Sequence, residues 1–159
     1  MTDPQRQAEW DQWYIAHLQL MLTVDGIESA QRLKLVQGDN SPSLAIYTVA
    51  SPDVFQDPYY LRIRGMGEWL PLIDRRYYRR NLFAGLDMAP DVPDGSVLLV
   101  ADCEQPQPDL AGMAWGRLQA VALDRSPLHR GIAVVPDTAV ERVGGAGVAI
   151  YRPVSRRLH

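Results

Sequence analysis

The sequence predicts an α+β fold in which helices pack on one face of a mainly antiparallel sheet, and three observations carry that expectation. Trp10, Trp13, Tyr14, His17, Leu18 and Met21 recur at the spacings that stack side chains along one face of a helix. Apolar, β-branched runs then come in pairs separated by turn formers rather than by long crossover helices. Finally, 47% hydrophobic and 22% charged residues over 159 positions is the composition of an ordinary globular chain with enough length for one substantial core.

The first element is a helix from Trp10 to Leu22. Thr23-Val24-Asp25-Gly26 is turn chemistry, with Gly26 free to take a positive φ, and Ser29 to Val36 follows as a strand. Gln37 to Pro42 is a cluster of turn formers and Leu44 to Val49 is strand-like, so the two runs form a hairpin. Ser51-Pro52-Asp53 starts a helix, because a Ser hydroxyl can accept from first-turn amides and Pro suits the first helical position. Asp57-Pro58 repeats the device, giving a restarted helix that ends near Gly65 or Gly67.

Arg75 to Ala84 is extended by preference, with Arg75, Tyr77, Arg79, Asn81 and Phe83 on one side and Tyr78, Arg80 and Leu82 on the other. Asp87 to Gly95, broken by Pro90 and Pro93, is the internal boundary, so that residues 1–88 form a first half and residues 89–159 a second, shortened one. In that second half Ser96 to Ala101 is a strand and Asp109 to Leu123 a helix striped by Leu110, Met113, Ala114, Arg117, Leu118 and Val121. Gly131 to Val135 and Val148 to Tyr151 are two more strands, and Ser155 to His159 is a polar tail. Trp115 and Arg130 to Val135 loosely echo Trp13 and Arg32 to Val36, an indication of internal duplication. The expected order is α-β-β-α-β followed by β-α-β-β, a ferredoxin-like arrangement.

Charge and composition exclude several functions. Sixteen Lys and Arg against nineteen Asp and Glu give a net charge of -3, which leaves no long-range positive field for nucleic acid or an anionic membrane. One cysteine, Cys103, can close no internal disulfide and, lying between Asp102 and Glu104, is a poor nucleophile. The N-terminal ten residues have no signal-like apolar core, and a cytoplasmic location is expected. The histidines His17, His129 and His159 have no partner at metal-ligand spacing, and no nucleotide fingerprint is present, so neither metal nor cofactor is expected.

His17 is the first candidate for chemistry, since the helical stripe turns its imidazole inward, where it can relay protons near neutral pH. The same pattern also describes a core histidine tied to a carbonyl or a Tyr hydroxyl. Trp13 and Tyr14 would wall a pocket beside it. Between residues 58 and 86 six arginines face only Glu68 and Asp74, and Arg forks bind carboxylate or phosphate bidentately. A solvated strand face bearing ion pairs is the plainer reading, particularly as Lys34 is the single lysine among the basic residues.

Trp13-Tyr14-Ile-Ala-His17-Leu, then Val24-Asp25-Gly26-Ile27, then Ser29-Ala30-Gln31-Arg32-Leu33 resembles the dimeric α+β barrel superfamily, and within it the EthD-like proteins. Asp25 stands where a Pro is common in that pattern. The resemblance covers residues 10 to 85 by motif and the remainder by element order. It implies sheets closing into a barrel, usually between two chains, with helices outside and a pocket between sheet and helices. Members include cofactor-free quinol oxygenases, haem-degrading enzymes, polyketide cyclases and lactone isomerases, so the fold alone does not select a reaction.

The expectation is therefore a homodimer performing cofactor-independent lyase, isomerase or cyclase chemistry on a small carbonyl-containing or aromatic molecule. His17 would be general acid or base, Tyr60 would share proton transfer, and Arg32, Arg64 or Arg80 would hold an anionic oxygen. A noncatalytic ligand-binding or accessory protein, and haem-dependent oxidation through His17, are the alternatives.

Overall fold

A computed structural model describes residues 3–105, 114–140 and 147–159. Helix α1 (Gln7–Met21) leads into the hairpin of β1 (Ile27–Gln37) and β2 (Ser43–Val49), as the periodicity and turn residues require. Gly26 takes φ +84 in the connecting turn, where an added Cβ would stand 2.7 Å from Val54 Cγ2. Ser51 accepts from the Asp53 amide at the start of a 3-10 turn, and Asp57 accepts from the Tyr60 amide to cap the short helix α2 (Pro58–Ile63). Both caps are the ones their Ser-Pro and Asp-Pro pairs predict.

The remaining strands are β3 (Asn81–Ala84), β4 (Ser96–Cys103), β5 (Gly116–Leu123), β6 (His129–Pro136) and β7 (Ala149–Pro153). Among the described residues seven antiparallel strands form one curled sheet in the order β2-β1-β7-β4-β6-β5-β3. Strands from either side of the Asp87–Gly95 break interleave in it: β7 lies between β1 and β4, and β3 pairs with β5. No helix among the described residues is long and apolar enough to cross a membrane.

Three expectations need correction. The segment expected as a helix over 109–123 is strand β5 from Gly116 onward, while its first residues lie outside the described ones. Arg117, Leu118 and Gln119 pair with Gly131, Arg130 and His129, and Ala120 and Ala122 pair with Phe83 and Leu82. Two neighbouring strands thus satisfy the backbone that a lone helix would satisfy internally, and Trp115 leads directly into β5 rather than into a helix that continues beyond it. The run from Arg75 is extended only at Asn81–Ala84, because Asp74 turns the chain by accepting the Arg76 amide and, through its carbonyl, that of Tyr77. The polar tail is paired: Leu158 exchanges backbone hydrogen bonds with Ala30, and Arg157 donates to the Ser29 and Thr48 hydroxyls. The glycine cluster 144–147 lies, apart from Gly147, outside the described residues.

Register assigns the two faces. Arg32 and Ala30 stand opposite Ala45 and Tyr47 on the face that carries α1, whereas Gln31 and Leu33 stand opposite Ile46 and Leu44 on the far face. Leu33, Leu98, Val100, Ala149 and Tyr151 make the far-face core, and Val97, Leu99, Ala101 and Ile150 make the core of the other face.

Gln31 is the polar exception on the far face. Its amide nitrogen donates to the carbonyls of Val92 and Ser155, and its oxygen accepts from the Val92 amide at 3.0 Å. One buried side chain therefore fastens the 85–92 segment and the C-terminal tail to β1. Gln31→Leu would leave the Val92 amide and carbonyl buried without partners. The expected cost is about 2–5 kcal/mol in urea denaturation, with hydrogen-exchange protection lost first around residue 92.

Candidate functional site

Helix α1 brings its aromatic residues together because residues three and four apart share a face. Trp13 stacks on Trp10 with ring centroids 5.1 Å apart and on His17 at 4.8 Å, and Tyr14 meets His17 edge-on. Beneath them lies Arg32, 2% exposed, paired with Asp11 at 2.6 Å and with its guanidinium 4.6 Å from the Tyr14 ring centroid. A buried cation held this way supports the aromatic wall from behind.

Next to this wall is a cavity of about 500 Å3. His17, Tyr14, Tyr47 and Tyr60 line its helix side, Arg64 and Arg80 also border it, and Leu98, Val100, Ile132 and Tyr151 line it on the far face. It reaches both faces because β2 is an edge strand, so that Tyr47 on one side and Leu44 and Ile46 on the other all border the same space.

The imidazole of His17 is 6% exposed and has no hydrogen-bond partner among the described residues. Burial pushes its pKa below the ordinary histidine value, so at neutral pH the ring is uncharged and able to accept a proton. Burial also raises the Tyr14 phenol to about 12, against the pull of the Arg32 charge and with a further upward push from Tyr78. Tyr47 is raised well above its usual value by burial, and by Tyr14 and Tyr60 nearby. The helix side of the cavity thus presents a neutral base beside phenols that remain hydrogen-bond donors through the physiological range.

The arginines around the cavity are not equivalent. Arg76 is taken by Asp74 at 2.6 Å, an exposed pair whose hydrogen bonds hold the Asp74 carboxyl down to about 2. Arg79 donates to the carbonyls of Arg75 and Tyr78, and Arg130 is paired with Asp102. The side chains of Arg64 and Arg80 have no hydrogen-bond or ion-pair partner among the described residues, and the Arg64 residue is exposed. Two unpaired guanidiniums at the border of a cavity can receive an anion.

Of the residues singled out from the sequence, His17, Tyr14, Tyr60, Arg64 and Arg80 border the cavity. Trp13 does not line it and instead stacks on His17; Arg32 is committed to Asp11 and the ring of Tyr14, behind the wall. Tyr78, from the Arg- and Tyr-rich run, also lines the space, as do Tyr47, Asp102 and Arg130, which sequence reasoning passed over. Alternation along Leu44 to Val49 marks Tyr47 as one-sided, but which side faces a helix follows only from pairing with Ala30. Among the described residues no group of three His, Cys, Asp or Glu side chains could hold a metal ion. No family model, no curated protein and no solved structure matches the chain.

The depressed His17 pKa links stability to pH. The unfolded chain takes up this proton at a higher pH than the folded chain, so stability falls as pH drops below the ordinary histidine value, and the loss stops once the folded ring protonates. His17→Gln removes the linkage. Between about pH 7.5 and 5.5 the melting temperature of the wild type is expected to fall more than that of the variant.

Proposed function

We propose that the protein is a small-molecule enzyme that moves a proton at a carbon next to a carbonyl, without a cofactor, in the cavity bordered by His17. The observation that carries this reading is a buried imidazole, uncharged at neutral pH and free of hydrogen-bond partners among the described residues, facing a space large enough for a metabolite. His17 removes the proton, the Tyr60 hydroxyl donates to the developing enolate oxygen, and Arg64 and Arg80 hold a carboxylate on the same molecule. Returning the proton from His17 to a second atom of the enolate completes an isomerisation, so no oxidant or external acid is consumed.

The similarity of Trp13-Tyr14-x-x-His17 and the following hairpin to the EthD-like proteins of the dimeric α+β barrel superfamily supports this reading. In it, the curled sheet closes against that of a second copy, and the protein is a homodimer near twice 17.8 kDa. Sedimentation equilibrium measures this directly, and a concentration-independent monomer would refute the closure.

The enzyme reading is tested with phenylpyruvate, an anionic aromatic carbonyl compound, by following exchange of its C3 protons in D2O by NMR. Wild-type protein is expected to accelerate the exchange over buffer. His17→Ala is expected to lower that acceleration by about 10²–10⁴-fold, and Tyr60→Phe by less, with the fold retained by circular dichroism. Binding of phenylpyruvate without any accelerated exchange would instead support a ligand-binding protein, in which the face-to-face stack of His17 on Trp13 is purely structural. Exchange at wild-type rate in His17→Ala would remove His17 as the base.

A further inference from the structure

On the far face, the cavity ends at a polar group that the chemistry of His17 does not use. Asp102 on β4 and Arg130 on β6 are cross-strand partners, and the pair is bidentate, with Nε to Oδ1 at 2.6 Å and Nη2 to Oδ2 at 2.8 Å. Asn40 in the hairpin loop donates to the same Oδ2 at 3.0 Å, and the Arg130 guanidinium lies 5.0 Å from the centroid of the Phe83 ring. Both side chains are largely buried, 14% exposed for Arg130 and 23% for Asp102. The carboxylate accepts three hydrogen bonds and the guanidinium is fixed in place, but not used up: Nη1 has no acceptor among the described residues.

We propose that this end of the cavity is a recognition subsite for a neutral oxygen acceptor, a carbonyl or hydroxyl, carried on an aromatic or branched apolar body. The pair with Asp102 closes the charge, so a second carboxylate would enter a half-buried apolar lobe uncompensated, whereas a neutral oxygen satisfies Nη1 without that penalty. Leu98, Val100, Leu118 and Ile132 form the apolar lining around it. Four residue steps along β2, from Ser43 beside the Asn40 loop to Tyr47 at the His17 end, amount to roughly 13 Å, so the two polar ends grip opposite ends of one elongated ligand. The inference rests on the cavity being a ligand site, as in the proposed function, and not on catalysis by His17.

Acetophenone and its hydrocarbon isostere α-methylstyrene, titrated against the full chain by ligand-observed NMR, test the subsite. Wild type is expected to bind acetophenone at least about tenfold more tightly. Arg130→Met is expected to abolish the difference and His17→Ala to leave it intact, so that loss of proton exchange in His17→Ala and failure of the subsite are read separately. Equal affinity of wild type for the two probes, or a preference that survives in Arg130→Met, would overturn the proposal. Should Arg130→Met not fold, methyl-labelled wild type gives the answer: acetophenone must shift the Leu98, Val100 and Ile132 methyl signals, and shifts confined to other methyls would equally overturn it.

Discussion

The structure turns on a guanidinium buried in the middle of strand β1. Arg32 is almost fully removed from solvent, and a charge in that position must find a partner within the fold. It finds Asp11 on α1 at 2.6 Å, with Tyr14 and Trp10 over it and the Ser43 hydroxyl accepting from Nε. The pair ties α1 to the middle of β1. The aromatic contacts within α1 follow from helical spacing, and the Arg32–Asp11 pair sets that aromatic face against the sheet.

The neighbouring residue does the corresponding work on the other face. Gln31 points away from α1 and binds the backbone of Val92 and Ser155, so two successive side chains of one strand hold the two walls between which the cavity lies. Arg157 extends this anchorage: it reaches Ser29 and Thr48, and Thr48 in turn accepts from the amide of Ala89 in the segment that borders the cavity. The cavity persists because its boundaries are fastened by hydrogen bonds rather than by apolar packing that would fill it.

Within that space charge and neutrality are separated. Asp102 and Asp74 compensate Arg130 and Arg76, while Arg64 and Arg80 are uncompensated among the described residues. Burial keeps His17 uncharged and Tyr14 and Tyr47 protonated. An anionic group is thereby drawn to one border, and the interior offers proton donors and an acceptor without charge, a combination suited to developing an enolate.

The amino-acid sequence by itself determined the elements whose causes are local. The stripe from Trp10 to Met21 made α1, the Gln37–Pro42 turn made the β1–β2 hairpin, and Ser51 and Asp57 capped their helical turns. It also placed His17 inward. The tertiary structure alone decided that Arg117 to Leu123 is a strand, that the chain's end returns to β1, and that Tyr47, Asp102 and Arg130 share a cavity with His17. The physical reason is distance along the chain. Helical periodicity and capping act over three or four residues, whereas a strand's backbone is satisfied by whichever partner the folded sheet sets beside it, here from Phe83 to Ala120 and from Leu35 to Tyr151.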